Sequence, residues 1–163
     1  MTQLLKLPIG IQTFEKIRSD DYVYIDKTAQ IKHMIDTGEY YFLSRPRRFG
    51  KSMLISTLQS LFEGRKELFE GLHIYDKWDW DTTHPVIRLS FDGVARDLAD
   101  MKQDVKNILR ENQDCLGVSC PDSDDIGGCF KYLIRATYEK YGQKVVILVD
   151  EYDKLHSGQP GSA

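Results

Sequence analysis

Phe42-Leu43-Ser44-Arg45-Pro46-Arg47-Arg48-Phe49-Gly50-Lys51-Ser52 decides how the rest of the chain is read. The apolar and aromatic run from Tyr40 to Leu43 reads as a short buried strand. The segment after Ser52 reads as a helix, with Leu54, Leu58, Leu61 and Phe62 at the i, i+4, i+7, i+8 spacing of a face packed on a sheet, and Gly64 ends it. Between the two, Gly50-Lys51-Ser52 matches the second half of the phosphate-loop pattern GxxxxGK[ST], with Arg45 at the first glycine position. Amides at a helix start, backed by the helix dipole, favour a phosphate anion. Gly50 lets the backbone approach closely, Lys51 neutralises the outer phosphates, and Ser52 offers its hydroxyl to Mg²⁺. Arg47 and Arg48 add local positive charge. Taken alone, the tripeptide is equally a basic turn that opens a helix.

A second motif weighs against that reading. Val145-Val146-Ile147-Leu148-Val149-Asp150-Glu151 is an unbroken apolar run, typical of a strand covered on both faces, with an acid pair at its tip. Asp150 suits Mg²⁺, and Glu151 suits the base that orients or deprotonates an attacking water. About 100 residues separate the motifs, with helices and a strand between them, as a phosphate-loop fold requires. Glu151 favours hydrolysis over phosphoryl transfer to a small substrate. The chain holds no Asn-Lys-x-Asp guanine reader, so ATP is the expected nucleotide.

The remaining chain alternates between the two element types. Tyr22–Ile25 reads as extended, and Thr28 as the cap of a helix running to about Thr37, with Gly38 as its stop. His84 to Asp92 reads as a strand with Pro85 near its start. Two helices follow, one with Val94, Leu98, Met101, Val105 and Ile108 on a face, the other with Phe130, Leu133, Ile134, Tyr138 and Tyr141. The acidic loop Cys120–Asp125 between them supplies a cap. The fold class is α/β: a mostly parallel sheet with helices on both faces and ligands at the carboxyl ends of its strands.

Composition sets outer limits. A length of 163 residues fits one domain, and 41% hydrophobic with 29% charged residues is ordinary for a globular protein. A net charge of −3 gives no global reason for nucleic-acid or membrane binding. No stretch reaches the ~20 apolar residues of a membrane span, and the N-terminus lacks a signal-peptide run, so a cytoplasmic protein is expected. Cys115, Cys120 and Cys129 form no CxxC pair and no zinc spacing, which reads as reduced thiols.

Three strings together resemble the bacterial AAA-ATPase-like family: Gly10-Ile11-Gln12-Thr13-Phe14-Glu15-Lys16-Ile17-Arg18, Tyr24-Ile25-Asp26-Lys27-Thr28, and Phe42–Ser52. The resemblance continues through Phe62-Glu63-Gly64, Leu68-Phe69-Glu70-Gly71-Leu72 and Pro85-Val86-Ile87 to Val149-Asp150-Glu151-Tyr152-Asp153-Lys154. Arg45 at the first-glycine position is usual in that family. The resemblance implies a P-loop NTPase in which Arg45, Pro46, Arg47, Arg48, Phe49, Gly50, Lys51 and Ser52 bind ATP. Ser52 and Asp150 would then hold Mg²⁺, and Glu151 would be catalytic. It also implies a family-specific segment at 1–39 packed on a partial ATPase domain at 40–154. Full members often carry a C-terminal PD-(D/E)XK nuclease-like domain, through which nucleic acid would be a partner. Asp26, Lys27 and Thr28 look like a family signature, which the residues themselves read only as a helix cap with a solvated lysine.

Past Lys154 the resemblance fails, and residues 155–163 read as a disordered polar tail. Phosphate-loop ATPases with such an acid pair place a later strand between the two motif strands. The chain ends too soon for that crossover, which needs at least ~10–12 residues. A truncated chain without turnover is therefore expected, with either the slot left open or the two motif strands paired directly and the site distorted. Two other readings stand beside an ATPase: a non-catalytic regulatory module ordered by nucleotide, and a DNA-associated protein using Arg45, Arg47 and Arg48 on backbone phosphates.

Overall fold

The computed structural model describes residues 6–44, 50–91 and 97–151. The chain divides at Thr83/His84 into two compact units.

The first unit is built from α1 (Phe14–Ser19), α2 (Thr28–Thr37) and α3 (Lys51–Phe62), followed by a 3₁₀ turn at Lys66–Phe69. Its core is Phe14, Ile17, Ile31, Leu58, Leu61, Leu68, Phe69 and Ile74. Six residues cannot hold a helix unaided, and α1 is fixed by its neighbours. The Phe14 amide donates to Ser56 Oγ in α3 at 2.9 Å, and the Phe14 ring lies 4.8 Å from that of Phe69. Arg18 donates to the carbonyl of Leu68 at 2.7 Å, and Arg65 forms a two-pronged ion pair with Glu15 at 2.9 Å.

α2 has the expected bounds but not the expected cap. Lys27 is the N-cap residue and Thr28 is the first helical residue, fully buried. The acceptor is Asp26: its Oδ1 takes the Thr28 amide at 2.8 Å and the Thr28 hydroxyl at 2.7 Å. Its Oδ2 takes the His73 amide at 2.7 Å, and Thr28 Oγ1 accepts from the buried Ile74 amide at 3.2 Å. Asp26 and Thr28 therefore clamp the helix start to a turn more than forty residues away.

Tyr40–Leu43, expected as a buried strand, is irregular and exposed, with Tyr40 at 93% and Phe42 at 73%. A strand exists only when another strand pairs with it, and the described residues of this unit form no sheet. The segment instead turns back on α2, where the Tyr41 hydroxyl meets the Met34 carbonyl and the Thr37 hydroxyl.

The second unit carries β1 (Val86–Ser90), α4 (Leu98–Leu116), α5 (Ile126–Tyr141) and β2 (Val146–Asp150). Val94, expected on the α4 face, lies outside the described residues. β1 and β2 pair in parallel with Val86 opposite Val146 and Ser90 opposite Asp150. Pro85 lies just before β1 and gives the ladder only its carbonyl, which accepts from the Val146 amide at 2.9 Å. Both long helices start on an aspartate: Asp97 accepts from the Asp100 amide, and Asp125 from the Gly128 amide. Ile87, Leu109, Leu116, Val118, Cys129 and Leu133 form the core beneath β1.

The Asn112 amide on α4 completes the far edge of β1. Its Oδ1 accepts from the Arg88 amide at 2.9 Å, and its Nδ2 donates to the Arg88 carbonyl at 2.8 Å, as a neighbouring strand would. β2 is not covered on both faces as its apolar run suggested. Leu148 and Asp150 are buried, but Ile147 and Val149 remain 41% and 42% exposed. The sheet has only two strands among the described residues, and the core beneath it gathers under β1.

The expectation of reduced thiols also fails for two of the three cysteines. Cys120 and Cys129 are joined in a disulfide, their Cα atoms 5.4 Å apart, and Cys115 is free and exposed. The short loop before α5 folds back on the first turn of that helix, which brings together two cysteines nine residues apart in sequence.

Candidate functional site

α3 begins where the phosphate-loop pattern ends. Gly50 is its N-cap residue, in the left-handed region at φ 75°, and its carbonyl accepts from the Leu54 amide at 3.0 Å. A Cβ placed on Gly50 would meet nothing within 4 Å. Backbone conformation, not crowding, is therefore what calls for glycine here. Gly50 has no side chain with which to cap this helix. That contrasts with Asp97 on α4 and Asp125 on α5, whose carboxylates accept first-turn amides. Lys51 and Ser52 occupy that first turn and are partly buried. Arg45, Pro46, Arg47, Arg48 and Phe49 lie outside the described residues.

The acidic pair stands at the carboxyl end of β2 in the second unit. Asp150 is only 4% exposed, and its Oδ1 accepts from the Glu151 amide at 3.0 Å. Its carbonyl accepts from the Phe91 amide at 3.2 Å, which holds the strand end against β1. Glu151 has φ 55°, a left-handed conformation that costs a non-glycine residue roughly 1–3 kcal/mol. Strain of this kind collects at functional sites. No sequence signal announced it, because glutamate has no preference for that region.

The structure thus groups Gly50, Lys51 and Ser52 at one helix start, and Asp150 with Glu151 at one strand end. Ser52 supplies a hydroxyl and Asp150 a carboxylate, both hard oxygen donors of the kind Mg²⁺ takes. Among the described residues no cluster of three or more His, Cys, Asp or Glu side chains is placed to hold a metal ion. Mg²⁺ bound with nucleotide needs fewer, since phosphates and water complete its shell. No helix among the described residues is long and apolar enough to cross a membrane.

These elements define a mixed α/β chain with a small parallel sheet, a helix start carrying Gly-Lys-Ser, and an acidic strand end. The chain belongs to the AAA-ATPase-like family, whose model, described as Predicted AAA-ATPase, matches residues 8–158. It is 50% identical over 151 residues to a protein of Azotobacter chroococcum mcd 1 described as "Uncharacterized protein in vnfD 5'region". That match takes in 91% of this chain but 29% of the relative, so the chain spans less than a third of the relative's length. No solved structure matches.

Proposed function

We propose that this chain is the ATP-binding part of an AAA-like ATPase with a P-loop fold. The observation that carries the reading is the start of α3, with left-handed Gly50 followed by Lys51 and Ser52. Three contributions favour a polyphosphate there: the first-turn amides, the dipole of a twelve-residue helix, and the Lys51 ammonium. Arg45, Pro46, Arg47, Arg48 and Phe49 complete the loop in this reading.

In this reading Ser52 and Asp150 would hold Mg²⁺, which when bound would neutralise charge on the outer phosphates. The buried Asp150 carboxylate would be held for that task by the Glu151 amide. Glu151, aimed by its left-handed backbone, would take a proton from the attacking water. Titration with ATP, with and without Mg²⁺, on the native chain and on Asp150→Asn tests the metal role. Native affinity should rise at least tenfold with Mg²⁺ and that gain should shrink in the variant. Affinity indifferent to Mg²⁺ would remove Ser52 and Asp150 from the site.

A further inference from the structure

We propose that the Cys120–Cys129 disulfide is a reversible thiol–disulfide exchange site for a small zwitterionic thiol. Cys129 is 3% exposed and belongs to the core beneath β1, whereas Cys120 is half-buried at the start of the exposed loop 121–125. An attacking thiolate must approach along the S–S axis, and Cys120 is the more exposed of the two residues.

Gln113 prepares the other sulfur to leave. Its Oε1 accepts from the Cys120 amide at 2.8 Å, and that donor fixes which way the side-chain amide points. Its Nε2 is thereby turned to Cys129 Sγ, 3.6 Å away. An N–H aimed at sulfur stabilises a thiolate, and a better leaving thiolate departs faster.

The exchange balances in two steps. The small thiolate bonds to Cys120 Sγ, the Cys120–Cys129 bond breaks, and its electron pair leaves on Cys129 Sγ, which takes a proton from water. A second small thiolate then attacks the small-thiol sulfur of the mixed disulfide. This releases the oxidised small disulfide and the Cys120 thiolate, which is protonated in turn. Two small thiols have supplied two electrons, and the same path run backwards restores the bond.

Two features fit this chemistry. An open cavity of about 500 Å³ borders Cys129 and Pro121, the residue that follows Cys120, with Asp122, Asp125, Lys131, Tyr132 and Arg135 also on its walls. Its two cations and the carboxylates of Asp122 and Asp125, the latter also capping α5, match the carboxylates and ammonium of a zwitterionic thiol, and the Arg135 guanidinium lies 5.6 Å from the Tyr132 ring centre. The loop is also held without the disulfide. Lys106 pairs with Asp124 at 2.6 Å, Cys129 donates its amide to the Asp125 carbonyl at 2.8 Å, and Gln113 keeps hold of Cys120. The opened thiols therefore stay close enough to close again.

The test uses the full chain carrying Cys115→Ser, equilibrated with reduced and oxidised glutathione, quenched with acid, alkylated and mapped by mass spectrometry. The pair should open and close reversibly while the circular dichroism stays native, with transient glutathione found on Cys120. Opening no faster than global unfolding, or glutathione on Cys129, would overturn the proposal. Gln113→Glu keeps the acceptor for Cys120 but removes the donor to Cys129, so opening should slow by about fivefold or more. An unchanged rate would contradict the leaving-group role. Lys131→Gln with Arg135→Gln should slow glutathione while sparing 2-mercaptoethanol. Equal effects on both reagents would refute the zwitterionic class.

Discussion

Asp26→Asn removes one acceptor from a carboxylate that now serves three donors. Oδ1 holds the Thr28 amide and hydroxyl, and Oδ2 holds the His73 amide. Whichever way the new amide turns, its NH₂ faces a donor on one side. A hydrogen bond to a charged group contributes about 1.5–3 kcal/mol, but Asp26 is largely solvent-exposed, which weakens the charged component. A loss of about 1–2 kcal/mol in the first unit follows, since Thr28 and Ile74 stay buried but lose part of their alignment. Burial alone pushes the Asp26 carboxyl upward, but the Thr28 hydroxyl and the His73 and Thr28 amides outweigh it, so the group sits below its ordinary 3.8. A depressed carboxylate stabilises the fold above the unfolded value and loses that contribution as pH falls through the folded one. Urea unfolding of wild type and variant should therefore differ at about pH 7 and converge below pH 3.8. A difference under about 0.5 kcal/mol at neutral pH, the ordinary range of surface substitutions, would refute the clamp. So would a difference that persists undiminished in acid.

Two further outcomes are expected. Asn112→Ala leaves the Arg88 amide and carbonyl without their partner on α4 and should cost about 2 kcal/mol by chemical denaturation, with faster hydrogen exchange at Arg88. Glu151→Gln, made in a longer chain of this family that turns over ATP, should keep nucleotide binding and lower turnover by about 10²–10⁴ in a phosphate-release assay. Full turnover there would strip Glu151 of the base role.

Local chemistry was legible in the sequence, and distant partnership was not. The bounds of α2, the existence of α3 (expected after Ser52 and found from Lys51) and the acidic cap of α5 follow from residues within one turn of each boundary, where capping and periodicity act. The strands expected over His84–Asp92 and in the apolar run from Val145 are found at Val86–Ser90 and Val146–Asp150, because strand ends depend on where the partner's ladder stops. Tyr40–Leu43 carries strand-forming residues without a paired edge. Asp26 finds His73 across 47 positions, and no pattern in the sequence encodes that reach. The disulfide was missed because a count of three cysteines says nothing about which two a loop brings together.

Calorimetric titration of Mg-ATP into the chain and into Lys51→Ala tests the central reading most directly. The ammonium at the start of α3 contributes a charge-assisted contact to phosphate, so its loss should weaken binding at least tenfold, about 1.4 kcal/mol or more. The variant should keep its helical circular dichroism, because Lys51 lies in the first turn of α3 outside the buried core. Equal affinity of the two proteins for Mg-ATP would contradict the assignment of Gly50-Lys51-Ser52 as a phosphate-binding loop.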